Sequence, residues 1–99
     1  MSAHLVLTRE KTVDRSELEM YWEQIRATFA GHQVRLLASC GAHEGLEGPP
    51  AEGTAIAELP SMAAAKAWYD SPAYRAVREH RFKGAFYRGL LVDGIGTAP

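Results

Sequence analysis

His4-Leu5-Val6-Leu7-Thr8, near the start of the chain, and Arg88-Gly89-Leu90-Leu91-Val92-Asp93, near its end, decide the fold. Both are short, apolar and β-favouring, and both read as strands. Successive side chains on a strand point to opposite faces of a sheet. Leu5 and Leu7 therefore oppose Val6, and Leu90 and Val92 oppose Leu91. These strands are apolar on both sides, whereas an antiparallel sheet with one solvated face alternates apolar with polar.

Working outward, Asp14-Arg15-Ser16-Glu17 has the spacing of a capping box and predicts a helix start. Leu18, Trp22, Ile25 and Phe29 follow at helical spacing, and Gly31 supplies the stop. Residues 34–39 read as a second strand, broken by Gly41. The stretch 42–53, with Pro49-Pro50 and further glycines, reads as mostly loop, and residues 54–59 as a third strand ended by Pro60. Ser61 is placed to cap a second helix with Met62, Ala65, Trp68 and Tyr69 as its buried stripe. Ser71 and Pro72 restart it, Tyr74, Val77 and Arg81 share one side, and Gly84 closes it. Residues 88–93 form the fourth strand, and 94–99 read as a flexible tail of the single domain 1–99.

The order is βαββαβ, which predicts an α+β, ferredoxin-like fold: a four-stranded antiparallel sheet with the helices on one face. Helices on one side leave the other apolar face bare. A second copy related by a two-fold axis is the simplest cover, so a homodimer is expected.

Composition narrows the classes. The 99 residues carry 11 basic and 12 acidic side chains, for a net charge of −1. Nucleic-acid binding, which needs excess cations to displace counterions, is not expected. Apolar runs fall short of a membrane span, the start Met1-Ser2-Ala3-His4 lacks the features of a signal peptide, and the single cysteine, Cys40, fits a reducing compartment. A cytoplasmic protein is the expectation. His4, His32, His43 and His80 have no metal-ligand spacing, and no glycine-rich phosphate loop leads from strand to helix, so neither metal nor cofactor is expected.

Gly41-Ala42-His43-Glu44-Gly45-Leu46-Glu47-Gly48, the run from Leu59 through Trp68-Tyr69-Asp70-Ser71-Pro72-Ala73-Tyr74-Arg75, and Glu79-His80-Arg81-Phe82-Lys83-Gly84 together resemble the domain-of-unknown-function family 1330. The resemblance spans nearly the whole chain. It implies a dimeric α+β barrel, two sheets packed face to face, within a superfamily of cofactor-free monooxygenases, isomerases, cyclases and haem-binding enzymes. Cys40 stands where a Gly is common in that family, Leu59 where a Phe is common, and residues 48–53 lack the Trp or Arg often found before the third strand.

Several polar residues are candidates for chemistry. His43 suits proton transfer at neutral pH beside Glu44; a solvated turn is the plainer reading. His80 and Arg81 lie where cations favour a helix C-terminus, and Arg81 or Arg88 is placed to grip a carboxylate while His80 moves a proton. Tyr69 and Tyr87 are the aromatic residues best suited to line a cavity. Arg35 and Glu58 sit within strands, as a structural pair or as part of a site. Cys40 reads as a buried thiol before a nucleophile. The expected site lies between sheet and helices, with His43, His80, Arg81 and Tyr87 as catalytic candidates and Arg35, Glu44, Glu58, Tyr69 and Arg88 as ligand-binding ones. Two functions compete: a cofactor-free enzyme acting on a small organic acid or polyketide-like molecule by acid/base chemistry, and a non-catalytic homodimer that binds a small molecule or steadies a partner.

Overall fold

A computed structural model describes residues 2–95. The elements run β1 (Ala3–Thr12), α1 (Arg15–Gln24), a 3-10 helix (Ile25–Phe29), β2 (Arg35–Ser39), β3 (Gly53–Leu59), α2 (Met62–Tyr69), α3 (Pro72–Gly84) and β4 (Ala85–Asp93). The strands form one antiparallel sheet in the order β2-β3-β1-β4. This is the ferredoxin-like α+β fold.

The helix starts are set by their caps. The carboxylate of Asp14 accepts from Ser16 N–H, Ser61 Oγ from Ala64 N–H and Ser71 Oγ from Tyr74 N–H. Gly31 adopts a φ of 80° after the first helical stretch, in the left-handed region where glycine is at ease. Cys40 also lies there, with a φ of 56°, which explains why a glycine suits this position.

Two strands are longer than their apolar runs. β1 continues past Thr8 to Thr12 through an irregularity between Arg9 and Lys11, and β4 begins at Ala85 instead of Arg88. Pairing supplies what the residue types of these ends do not: Lys11 lies opposite Phe86 and Arg9 opposite Tyr87. The turn into β4 is tied down where Gly84 C=O accepts from both Val13 N–H and Asp14 N–H, at 2.7 and 2.9 Å. A side chain at Gly84 would sit 2.9 Å from Leu18 N, so the close approach of α1 to the end of α3 requires glycine.

The register fixes the two faces of the sheet. Ala3, Leu5 and Leu7 lie opposite Leu59, Ala57 and Ala55, and all face the helices. They pack with Tyr21, Trp68, Tyr74 and Val77 in the core. His4, Val6 and Thr8 point the other way, opposite Glu58, Ile56 and Thr54 on one side and Val92, Leu90 and Arg88 on the other. No described helix covers this face, and Leu90 and Val92 are 57% and 49% exposed on it. The sheet is apolar on both sides, as its sequence implies. Gly94 N–H still bonds Ser2 C=O at 2.6 Å. Residues 96–99, the rest of the expected tail, lie outside the described residues.

Candidate functional site

Tyr74, Val77 and Arg81 recur at three- and four-residue steps on α3 and so share its sheet-facing side. The first two are core residues. Arg81 is a guanidinium in the same position, only 3% exposed. Its carbon lies 5.0 Å from the centre of the Tyr87 ring, 5.1 Å from Phe82 and 5.9 Å from Tyr21. Arg81 Nη2 donates to Tyr69 Oη at 3.4 Å, and Nε has no hydrogen-bond partner among the described residues. Every ion pair among the described residues lies elsewhere, so no carboxylate neutralises Arg81. Aromatic faces compensate part of the desolvation of a buried cation, but they do not replace an anion.

Arg81 lines a cleft of about 350 Å³ between β4 and the helices, together with Tyr69, Phe82, Tyr87, Gly89 and Leu91. That volume is at the lower end of ligand sites. Gly89 belongs to the geometry: it lies opposite Leu7 on the helix-facing side, and a side chain there would meet Leu7 Cδ2 at 2.9 Å. Arg78 flanks the cleft, 4.7 Å from the Tyr69 ring and 5.3 Å from that of Phe82. On the far side of Leu5, Leu7 and Tyr87 lies a second, smaller cavity of about 60 Å³, walled chiefly by Trp22, Phe29, Leu36 and Trp68.

The phenols of Tyr21, Tyr74 and Tyr87, near Arg81, are held neutral. Tyr21 and Tyr74 share a hydrogen bond of 2.7 Å, and burial pushes the proton affinity of both above the ordinary phenol range. Burial also raises that of Tyr87, against the opposing pull of Arg9. Burial disfavours the charge on Arg81, yet the surrounding Tyr74, Tyr21 and Tyr69 more than offset it, so the guanidinium stays charged. The cleft offers one fixed cation, neutral hydroxyls and apolar walls, a combination suited to a single negative charge on an apolar body.

The remaining sequence candidates fall elsewhere. His80 Nδ1 lies 2.6 Å from Glu17 Oε2 and joins α3 to α1. His43 sits in the exposed loop after β2, its ring nitrogens 3.3 Å from Gly41 O and 3.0 Å from Ala51 O. Glu44 is exposed beside it. Arg35 and Glu58 do pair, at 3.7 Å, on the helix-free face, where His4 approaches the other Glu58 oxygen at 3.6 Å. Arg88 pairs with Glu10 at 3.4 Å. Cys40 is exposed, not buried as its residue type suggested, because the left-handed turn at the end of β2 carries it to the edge of the smaller cavity.

Arg9 is the residue that the sequence reading passed over. It follows Leu5 and Leu7 at the same parity, so it faces the helices. Its side chain is 11% exposed and stacks 5.4 Å from the Trp22 ring, while Nε and Nη1 lack hydrogen-bond partners among the described residues. Unlike Arg81 it has a counter-charge: Glu52 Oε1 lies 3.6 Å from Nε. A strand ended at Thr8 hides this parity; one carried to Thr12 displays it. Among the described residues, no cluster of His, Cys, Asp and Glu could hold a metal, and no helix is long and apolar enough to cross a membrane.

Comparison with known proteins adds to this geometry. The model of a family described as "Domain of unknown function (DUF1330)" matches residues 2–95. No curated protein matches the chain. Among solved structures, a protein of unknown function from Rhodopseudomonas palustris is 19% identical, with a TM-score of 0.73 over 97% of this chain and 84% of that one. A protein from Thermobifida fusca described as a dimeric ferredoxin-like protein of unknown function is 16% identical, with a TM-score of 0.65 over 94% and 91%. SnoaB from Streptomyces nogalater, described as a cofactor-independent oxygenase, is 13% identical, with a TM-score of 0.63 over 99% and 97%. At these identities the likeness establishes the fold.

Proposed function

The chain belongs to the DUF1330 family, and from the geometry of its cleft we propose that it binds a small organic anion between sheet and helices, working as a homodimer. One observation carries the reading: Arg81 is almost wholly buried, lines a cleft of ligand size, and has no carboxylate partner among the described residues. A guanidinium in an apolar site binds carboxylates and enolates strongly, because water does not compete for it.

The homodimer rests on the bare apolar face around Val6, Ile56, Leu90 and Val92, and on the dimeric description of relatives that share the fold. The balanced charge and the single cysteine support a cytoplasmic protein without a nucleic-acid partner.

The chemistry that this anchor suits is stabilisation of an oxyanion or enolate. Tyr69 and Tyr87 supply hydroxyls beside the charge, and neither a histidine nor a carboxylate lines the cleft among the described residues. Turnover of a small organic acid or polyketide-like molecule, of the isomerase, cyclase or monooxygenase type, would rest on the acidity of the substrate and on Arg81, with SnoaB as a precedent for cofactor-independent chemistry on this fold. The non-catalytic reading shares the same anchor, so binding is tested first. In calorimetric titrations with small monocarboxylates and their matching amides, the acids should bind and the amides should not. Arg81→Gln should weaken the acids roughly 10- to 100-fold, the worth of a charge-assisted hydrogen bond. Equal binding of acid and amide, or an unaffected Arg81→Gln variant, would overturn the proposal.

A further inference from the structure

We infer that the preferred ligand is an amphipathic acid with a narrow, unbranched tail, its anionic head on Arg81 and its tail passing Tyr87 into the cavity beneath Trp22 and Trp68. The inference rests on the anion-binding reading above and specifies the rest of the molecule.

Three observations carry it. The two cavities share Leu5, Leu7 and Tyr87 as a common wall, so they are neighbouring compartments of one interlayer space. Their chemistry is polarised: the compartment of about 350 Å³ holds the cation, whereas the other is walled by Ile25, Phe29, Val34, Leu36 and the two tryptophans. Their sizes differ as well. The inner compartment, about 60 Å³, is roughly four to six times the ~10–15 Å³ that one water requires, room for a few methylene groups. That is less than half of the ~150 Å³ at which an apolar cavity takes up benzene, so a ring or a bulky branch exceeds the space. Tyr87 is the aromatic residue common to both linings, only partly buried, with Arg81 against its ring and Arg9 near its hydroxyl.

The test is a titration of the full chain with straight-chain carboxylates from acetate to decanoate, each below its micelle concentration, read by calorimetry and by tryptophan emission. Each methylene that enters the apolar compartment should tighten binding about fourfold. The gain should stop within the series, where the tail has filled the cavity. Trp22 and Trp68 line only the inner compartment, so a change in their emission should accompany the longer acids and not acetate. Ala55 lines the same compartment, and Ala55→Val should move the stopping point to a shorter acid. Binding that depends on Arg81 but is indifferent to chain length, or equally strong for branched and linear acids, would overturn this inference and leave the anion site standing. Failure of every acid in the series to bind would overturn both.

Discussion

The two faces of the sheet carry their charges in opposite ways. On the helix-free face, Arg35, Glu58 and His4 lie in register across three strands and satisfy one another. On the helix face, Arg81 sits among aromatic rings with no acid beside it. A self-compensated cluster needs nothing from outside and suits an interface that packs against its own copy. An uncompensated guanidinium lowers stability unless something anionic meets it. Under the proposed function, the difference separates a surface for association from one for a ligand.

The largest effect that would break the comparison is on association. Val6 lies at the centre of the helix-free face, between Ile56 and Leu90. Val6→Asp should leave the circular dichroism of the fold unchanged and shift the proposed dimer's dissociation constant by about 100- to 1,000-fold, since an unpaired interfacial carboxylate costs several kcal/mol. Light scattering across a dilution series measures it. Its neighbour Leu5 points the other way, into the core, at 5% exposure. Leu5→Ala should lower unfolding stability by about 2–4 kcal/mol in urea through the cavity it leaves.

A smaller effect concerns the phenols. Burial raises the proton affinity of Tyr21, Tyr74 and Tyr87 above the ordinary value of 10.0. An unfolded phenol begins to ionise near that value, while the folded ones hold their protons. The stability they contribute is therefore complete below about pH 10 and declines as pH rises above it. Tyrosinate absorbance in an alkaline titration should show these rings ionising only as the fold is lost. Tyr21→Phe breaks the 2.7 Å hydroxyl pair and should cost about 1 kcal/mol. Arg35→Ala should cost least, under ~1 kcal/mol, because its side chain is 76% exposed and its ion pair is weakly held.

Much of this architecture was legible in the chain. The caps at Asp14, Ser61 and Ser71, the left-handed stop at Gly31 and the doubly apolar strands each have a local cause that residue type reveals. The strand ends do not: residues 9–12 and 85–87 are held by their pairing with each other, a long-range effect. The lining of the cleft was legible in part. Arg81, Tyr69 and Tyr87 were singled out by residue type and do share a cleft. His80 instead pairs with Glu17, 63 positions away in the chain, and no local pattern encodes that. Arg9 was hidden by strand length, and the parity of Arg35 and Glu58 awaited the register.

The central claim is that Arg81 serves a ligand and not the fold. Arg81→Met keeps an apolar stem of similar length and removes the charge. Its unfolding free energy in urea without added acid should equal or exceed that of the parent chain, by up to about 3 kcal/mol. Carboxylate at a hundred times its Kd should stabilise the parent by about 2.7 kcal/mol and leave the variant unmoved. A variant more than about 2 kcal/mol less stable than the parent, with both responding alike to the acid, would contradict the account.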